Sequence, residues 1–270
     1  MALDRSPGDR VAWSRTSRRT LSHFLCTLLI GLAPLVAAAE TVVIAAEDDW
    51  APYSSLPPNK SAPEGFAVDL VREAFKSQGI DVKFESVPFT RCMFLAKTGA
   101  VAGCFNASPV DDSRGEYVWH TTPMFKEDLA IFGLTSNPRR DLSLKDLEGK
   151  TAGYTLGYIC PGDFMSNNRI RKRGVKSDKL LLNMLLAGRV DYILMDLVPG
   201  EMRVSADPAA RALIKPVGTV STNGFWLAFS KKRPDAQRLA DTFEKGLQDM
   251  KTTGRYQALG EELRRRTTAL

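Results

Sequence analysis

The sequence contains little histidine. Only two histidines occur among its 270 residues, and His120 alone follows the N-terminal apolar segment. A single histidine cannot build a His-based zinc site, and it leaves one possible base for a Ser or Cys triad. The strings HExxH, CxxC, GxSxG, Walker A and GxGxxG are absent as well. These absences disfavour hydrolases and nucleotide-binding enzymes, and we expect neither a metal nor a cofactor.

Length and charge narrow the possibilities further. A chain of 270 residues allows one large or two modest domains. Lysine and arginine total 37 against 31 aspartate and glutamate, a net charge of +6. Half of that excess lies in residues 1–39, which carry five Arg and two Asp. The remaining charge does not indicate a nucleic-acid partner.

The N-terminus has the pattern of a secretory signal peptide. A basic region precedes an apolar run at 24–39, which ends in Ala37-Ala38-Ala39. The run is short for a membrane span, and no later stretch is apolar enough to cross a membrane. We therefore predict a signal peptide at 1–39 and a soluble periplasmic protein that begins at Glu40. Arg18-Arg19 leaves the twin-arginine route open beside the general secretory one.

Three cysteines remain after this cleavage: Cys92, Cys104 and Cys160. In an oxidising compartment an odd number suggests one disulfide and one free thiol. Cys92 and Cys104 are the predicted pair, because a helix start and the following strand can approach closely. The alternative of three small buried hydrophobic residues stays open.

Strand and helix patterns alternate along the mature chain. The first half predicts strands at 41–46, 82–87 and 101–105 and helices at 65–77 and 90–97. This βαβαβ order is typical of an α/β domain with a largely parallel sheet. After a strand at 129–134, the polar turn at 135–138 marks a predicted domain crossing. The second half predicts strands at 151–155, 192–195 and 225–229, a basic helix at 164–173, and helices at 179–187 and 235–252.

Short motifs accompany these elements in a specific order. The first half contains Trp50-Ala51-Pro52-Tyr53, Gly65-Phe66-Ala67-Val68-Asp69-Leu70, Val87-Pro88-Phe89, Arg114 and Pro123. The second half contains Asp146-Leu147-Glu148-Gly149-Lys150, Gly188-Arg189-Val190-Asp191-Tyr192, Asp196 and the stretch 231–234. In this order, over essentially the whole mature chain, they resemble the family 3 extracellular solute-binding proteins. Members of that family are periplasmic receptors of polar amino-acid ABC importers.

The resemblance implies a fold and a mode of action. It implies a two-lobed α/β fold of the type II periplasmic-binding-protein kind, with ligand held between the lobes. Lobe 1 would comprise 40–133 and 224–270, and lobe 2 would comprise 134–223. The strands at 129–134 and 225–229 would be the two crossing hinge strands. We expect a monomer that closes on a small polar ligand and then docks on a membrane permease.

The resemblance also assigns roles to residues. Arg114 matches the arginine that clamps the ligand carboxylate, and Asp196 matches the acid that receives the ammonium. Trp50 and Tyr53 match the aromatic wall of the cleft. Arg114 could instead be a solvated ion pair and Asp196 a helix N-cap. Arg91 is a further candidate for the cleft, with a surface position as the alternative.

Some positions depart from the family pattern. Asp112 stands two residues before Arg114, where the family has Ser or Thr, and Ala102 replaces an Asp. Tyr158 stands where a Gly-Thr or Gly-Ser pair commonly donates to the ligand carboxylate. Its bulk argues against the standard amino-acid pose and leaves the ligand open.

Three functions therefore compete. The first is a transport receptor without chemistry. The second is an enzyme on the same scaffold, similar to periplasmic cyclohexadienyl dehydratases, with Glu47, Asp48, Asp49 or His120 as the acid. The third is a sensory module that reports to a membrane kinase or cyclase.

Overall fold

The computed structural model describes residues 39–109, 114–158 and 160–268. The predicted signal peptide lies outside these ranges except for its last residue, Ala39. Up to residue 134 the described elements are β1 (Glu40–Glu47), β2 (Asp49–Trp50), β3 (Ser54–Ser55), α1 (Phe66–Ser77), β4 (Ile80–Val87), α2 (Phe89–Thr98), β5 (Gly103–Ala107), β6 (Tyr117–Trp119) and β7 (Phe125–Leu134). From residue 144 they are a 3₁₀ helix (Leu144–Leu147), β8 (Thr151–Thr155), α3 (Gly162–Ser166), β9 (Arg171–Val175), α4 (Asp178–Leu186), β10 (Tyr192–Asp196), α5 (Leu197–Ala206), α6 (Pro208–Arg211), β11 (Ile214–Ser230), α7 (Ala236–Thr252) and α8 (Arg255–Thr268).

Two sheets share the long strand β11. The first has the order β4-β1-β5-β11, with β6 also paired to β11; β1 runs parallel to β4 and β5. The second has the order β11-β7-β10-β8-β9, and β8 runs parallel to β9 and β10. Each sheet has its own buried apolar clusters. The alternating pattern of the sequence thus builds the predicted two-lobed α/β fold.

Strands β7 and β11 connect the two lobes. They pair antiparallel from Phe125 opposite Phe225 to Leu134 opposite Ile214. The predicted strand 129–134 is present, but Leu129–Phe132 pairs with β10 and so belongs to the second sheet. Leu129 is therefore already paired in the second sheet, and the lobe boundary at 133/134 stays a prediction. The polar turn marked where the strand ends, whereas non-local pairing decides which sheet the strand joins.

The first lobe is held together by an apolar face of α1. Phe66, Leu70, Val71 and Phe75 are buried, as the helical spacing predicted. Helix α7 packs so closely on α1 that a Cβ at Gly246 would lie 2.1 Å from the carbonyl oxygen of Ala74. A larger residue at Gly246 would separate the two helices.

The basic helix predicted at 164–173 is wrong. Helix α3 ends at Ser166, and Arg171–Val175 forms β9, the outer strand of the second sheet. Basic side chains are common on edge strands because their charge discourages pairing with other chains. The same residues read in isolation suggest a basic helix, and only the partner strand β8 makes them a strand.

Cys92 on α2 and Cys104 on β5 form a disulfide with Cα atoms 5.6 Å apart, while Cys160 is free. Both bonded residues are fully buried, so the bond fixes α2 against the first sheet beneath it. No helix of the described residues is long and apolar enough to span a membrane.

Candidate functional site

A cleft lies between the two lobes, where β7 and β11 cross. Its walls come from both lobes and from β11: Glu47, Trp50, Phe89, Asn106, Ser108, Tyr158, Asp196, Asn223 and Phe225. Glu47 ends β1, Asn106 lies in β5 and Asp196 ends β10, so the carboxyl ends of strands from both sheets meet here. Ligands of open α/β sheets commonly bind at this edge.

Two carboxyl groups dominate the chemistry of the cavity. Glu47 is buried, and the hydroxyl of Tyr158 donates to its Oε1 at 2.8 Å across the cleft. Burial raises the pKa of Glu47 to about 8. The hydrogen bond from Tyr158 lowers this pKa, and the negative charges of Asp178 and Asp196 raise it further. Burial, with the charges of Glu127 and Asp178, also raises the pKa of Asp196 well above its usual value. Among the described residues that line the cavity, none is Lys or Arg, so its electrostatics favour a cation.

Asn106 offers an unpaired amide to this cavity. Its side chain is 3% exposed, and neither Oδ1 nor Nδ2 has a hydrogen-bond partner among the described residues. Its backbone φ of 62° is left-handed, a conformation that asparagine tolerates better than most residues. A buried amide without partners costs free energy unless a ligand or water satisfies it. The signal for Asn106 in the sequence is a polar residue within the otherwise apolar strand Gly103–Ala107.

Aromatic side chains form the other walls. Trp50 and Phe225 lie 5.0 Å apart between ring centroids, and Phe89 meets Tyr158 edge to face at 6.1 Å across the cleft. Tyr53 lies behind Trp50 and stacks on Phe125 at 4.5 Å. Tyr53 therefore supports the wall and does not line the cavity. The sequence analysis did not assign a site role to four further lining residues: Phe89, Ser108, Asn223 and Phe225. The direction of their side chains depends on how the lobes face each other.

The two predicted arginines do not line the cavity. Arg91 is exposed on α2. Arg114 is also exposed, and its guanidinium donates to the carbonyl of Pro109 at 3.1 Å. Residues 110–113, which include Asp112, lie outside the described ranges. The structure thus brings Trp50, Tyr158 and Asp196 together, and the role of each remains a prediction.

Several contacts among the described residues connect the lobes around the cavity. Besides Tyr158 and Glu47, Arg203 of the second lobe donates to the backbone oxygen of Asp49 at 2.6 Å and to its carboxylate at 2.9 Å. Arg203 also pairs with Asp178 at 3.1 Å within its own lobe. A Cβ at Gly157 would lie 2.6 Å from Oγ1 of Thr90 in the opposite lobe. These contacts describe a closed cleft.

Of the four acids considered for catalysis, Glu47 alone lines the cavity. Asp49 is engaged with Arg203. His120 is buried in the first lobe, where its Nε2 accepts from the backbone N–H of Leu227 at 3.0 Å. Its other ring nitrogen faces Glu244 at 3.4 Å, and burial lowers the pKa of His120. His120 is therefore a structural residue.

Comparison with known proteins agrees with this architecture. A probable histidine-binding protein of Campylobacter jejuni is 26% identical over 198 residues, 72% of this chain and 74% of the relative. An ancestral arginine-binding protein bound to arginine superposes with a TM-score of 0.72 at 22% identity, over 84% of this chain and 99% of its own. A histidine kinase sensor domain with similarity to periplasmic binding proteins gives 0.73 at 24% identity, over 84% and 96%. Residues 42–263 match the model of the bacterial extracellular solute-binding proteins, family 3. The chain therefore belongs to family 3 of the bacterial extracellular solute-binding proteins.

Proposed function

We propose that this protein is a monomeric periplasmic receptor of an ABC importer and that it binds a cationic amino acid between its lobes. The observation that carries the proposal is the closed, aromatic cavity with Glu47 and Asp196 and with no basic side chain among its described lining residues. The relative named as histidine-binding and the neighbour bound to arginine support the same ligand class.

The cavity suggests how such a ligand would be held. Asp196 would receive the α-ammonium, as the family resemblance implies, and Glu47 would receive the cationic side chain. Trp50 and Phe225 would cover the aliphatic or planar part, and a cation over an aromatic face is itself favourable. The free amide of Asn106 would donate or accept at one further ligand atom. Lobe closure removes water and strengthens each of these contacts.

Arg114 is the proposed partner of the ligand carboxylate. Its described side-chain hydrogen bond goes to Pro109, next to Ser108, which lines the cavity. A guanidinium on an exposed side chain can exchange this neutral acceptor for a carboxylate, which binds more strongly. Arg91, equally exposed but on α2, is the matched control.

The test is calorimetric titration of the protein beginning at Glu40 with L-arginine, L-lysine, L-histidine, L-glutamate and putrescine. We expect binding of the cationic amino acids and none of L-glutamate. Arg114→Ala should abolish that binding, whereas Arg91→Ala should leave the affinity within about threefold, because only a contacting charge contributes strongly. Binding of putrescine alone would contradict the carboxylate clamp, and silence toward all five would contradict the ligand class.

An enzymatic function is the second candidate, because Glu47 is a buried acid with a pKa of about 8 in an aromatic cavity. A carboxyl group that stays protonated at neutral pH is suited to general-acid catalysis on a leaving hydroxyl. Incubation with prephenate or arogenate followed by mass spectrometry tests this. Unchanged substrate would exclude a dehydratase of that specificity.

A sensory function is the third candidate, supported by the likeness to a histidine kinase sensor domain. Genes for a permease and an ATPase beside this gene would favour transport, and a neighbouring membrane kinase would favour sensing. A transport receptor and a sensor would use the same ligand cavity, so the calorimetric titration identifies the ligand class in either case.

A further inference from the structure

Helix α5 begins directly after Asp196, and its first turn has an unexpected partner. Asp196 occupies the N-cap position, yet its side chain makes no capping hydrogen bond. The first N–H groups of a helix lack partners within the helix. Aspartate at the N-cap normally turns back to accept from one of them. Something must therefore replace Asp196 at this helix end.

The replacement is Glu127, from strand β7 where the chain crosses between the lobes. The backbone N–H of Val198, in the first turn of α5, donates to Oε1 of Glu127 at 2.8 Å. The hydroxyl of Tyr53, in the first lobe, donates to Oε2 of the same carboxyl group. Glu127 is only 7% exposed, so these two donors are held without competition from bulk water.

We propose that Glu127 is a positioning residue of the binding site: it caps α5 from the crossing strand, so that the carboxyl group of Asp196 stays turned toward the cavity. The proposal rests on the proposed function, because it assigns Asp196 to a cationic ligand. Among the described residues, the side chain of Asp196 makes no hydrogen bond. If Asp196 capped its own helix, one of its carboxyl oxygens would accept from that helix and would not be available to a ligand.

The link to Tyr53 adds a second consequence. Tyr53 packs in a tilted arrangement against Trp50, which lines the cavity, with ring centroids 4.7 Å apart. Glu127 thus joins the aromatic wall of the first lobe to the helix that presents Asp196 from the second. Loss of Glu127 removes the hydrogen bonds that hold both Tyr53, behind Trp50, and the start of α5, beside Asp196. Loss of a hydrogen bond elsewhere on β7 leaves both in place.

The first experiment measures the affinity for L-arginine by calorimetry. Glu127→Met keeps the side-chain volume and removes the acceptor, so Asp196 is expected to turn onto the helix and the affinity to fall about tenfold or more. Glu127→Gln still accepts from Val198 and should stay within about threefold of the original affinity. Asp128→Ala is the matched control, since Asp128 is the next residue on β7 and binds Thr222 instead.

A double-mutant cycle separates positioning from simple destabilisation. If Glu127 acts through Asp196, Asp196→Ala lowers the affinity strongly in the original protein and adds almost nothing in Glu127→Met. Losses that add, or an affinity of Glu127→Met equal to that of Asp128→Ala, overturn the proposal. If Glu127→Met does not fold, Tyr53→Phe replaces it, because it removes one donor to Glu127. Tyr53→Phe is expected to weaken binding severalfold, and the loss caused by Asp196→Ala should be smaller on the Tyr53→Phe background.

The second experiment needs no ligand and therefore stands if the proposed function fails. Urea unfolding is measured for Asp196→Ala alone and on the Glu127→Met background. We expect little loss of stability in the first case, because Asp196 does not cap α5. We expect a clear loss in the second, where Asp196 has become the cap. Equal effects on both backgrounds overturn the positioning role, whereas failure of the original protein to bind any cationic amino acid overturns only the ligand assignment.

Discussion

Glu47 predicts a strong pH dependence of ligand binding. Burial raises its pKa to about 8, against an ordinary value of 4.5. Below pH 8 the acid is protonated, and a bound cation favours the ionised form. Ligand binding must therefore release a proton from Glu47. The free energy needed to remove that proton makes the binding free energy less favourable and so lowers the affinity.

The size of this pH dependence follows from the raised pKa of Glu47. At pH 6, two units below a pKa of about 8, ionising Glu47 costs about 2.7 kcal/mol, or a factor of about 100 in affinity. Through Glu47 alone we expect the affinity to rise about tenfold per pH unit from about pH 5 to about pH 7 and to level off above about pH 8. Proton release from Asp196 would add to this slope. L-arginine is the suitable probe, because its guanidinium stays charged throughout this range.

Calorimetry of L-arginine binding across that range, in buffers of different ionisation enthalpy, measures the affinity and the protons released. Glu47→Gln is the control, because it removes the titrating group while keeping an acceptor for Tyr158. The slope should fall in Glu47→Gln, and any slope that remains belongs to Asp196, whose pKa is also raised. An affinity independent of pH, or an unchanged slope in Glu47→Gln, would show that Glu47 does not release a proton on binding.

The same shift has the opposite effect on stability. In the folded protein Glu47 keeps its proton up to about pH 8, whereas in the unfolded chain it loses the proton near pH 4.5. The unfolded state therefore binds fewer protons between these values, and the ligand-free protein loses stability as the pH rises through this window. Urea unfolding at several pH values should show this loss, reduced in Glu47→Gln.

Three further variants test the structure. Cys92→Ser opens a disulfide that spans 12 residues and should cost about 3 kcal/mol of stability in urea unfolding, and a thiol count on the unfolded variant should detect both Cys104 and Cys160. Asn106→Gly removes the unpaired amide, suits a φ of 62°, and should weaken ligand binding while changing stability by less than about 1 kcal/mol. Gly157→Ala puts a Cβ against Thr90 at 2.6 Å and should hinder closure and weaken binding; added Thr90→Ala should restore part of the affinity, and no restoration would contradict the clash.

Local sequence patterns were sufficient for most elements. The apolar spacing of α1 and the short apolar runs of β1 and β10 predicted both type and position, because these signals lie within one element. The error at Arg171–Val175 has the opposite origin. That strand exists because β8 offers it a partner, and nothing within its own residues encodes the pairing.

The candidate site was predicted only in part. Trp50, Tyr158 and Asp196 stand at or beside strand ends, which a pattern of alternating strands and helices locates. Arg114 and Arg91 had the right chemistry but do not line the cavity. Side-chain direction depends on how the two sheets face each other, and one sequence contains no signal for that angle.

Residue patterns were enough to predict most elements, the family resemblance and the acids near the ends of strands. The role of each acid depends on which residues the fold brings next to it. Glu127, near the start of β7, accepts from the first turn of α5, while Asp196, at the helix start, makes no capping hydrogen bond. The physical reason is that hydrogen bonds and burial are properties of neighbours in space, and β7 brings together residues that are about 70 positions apart in the chain.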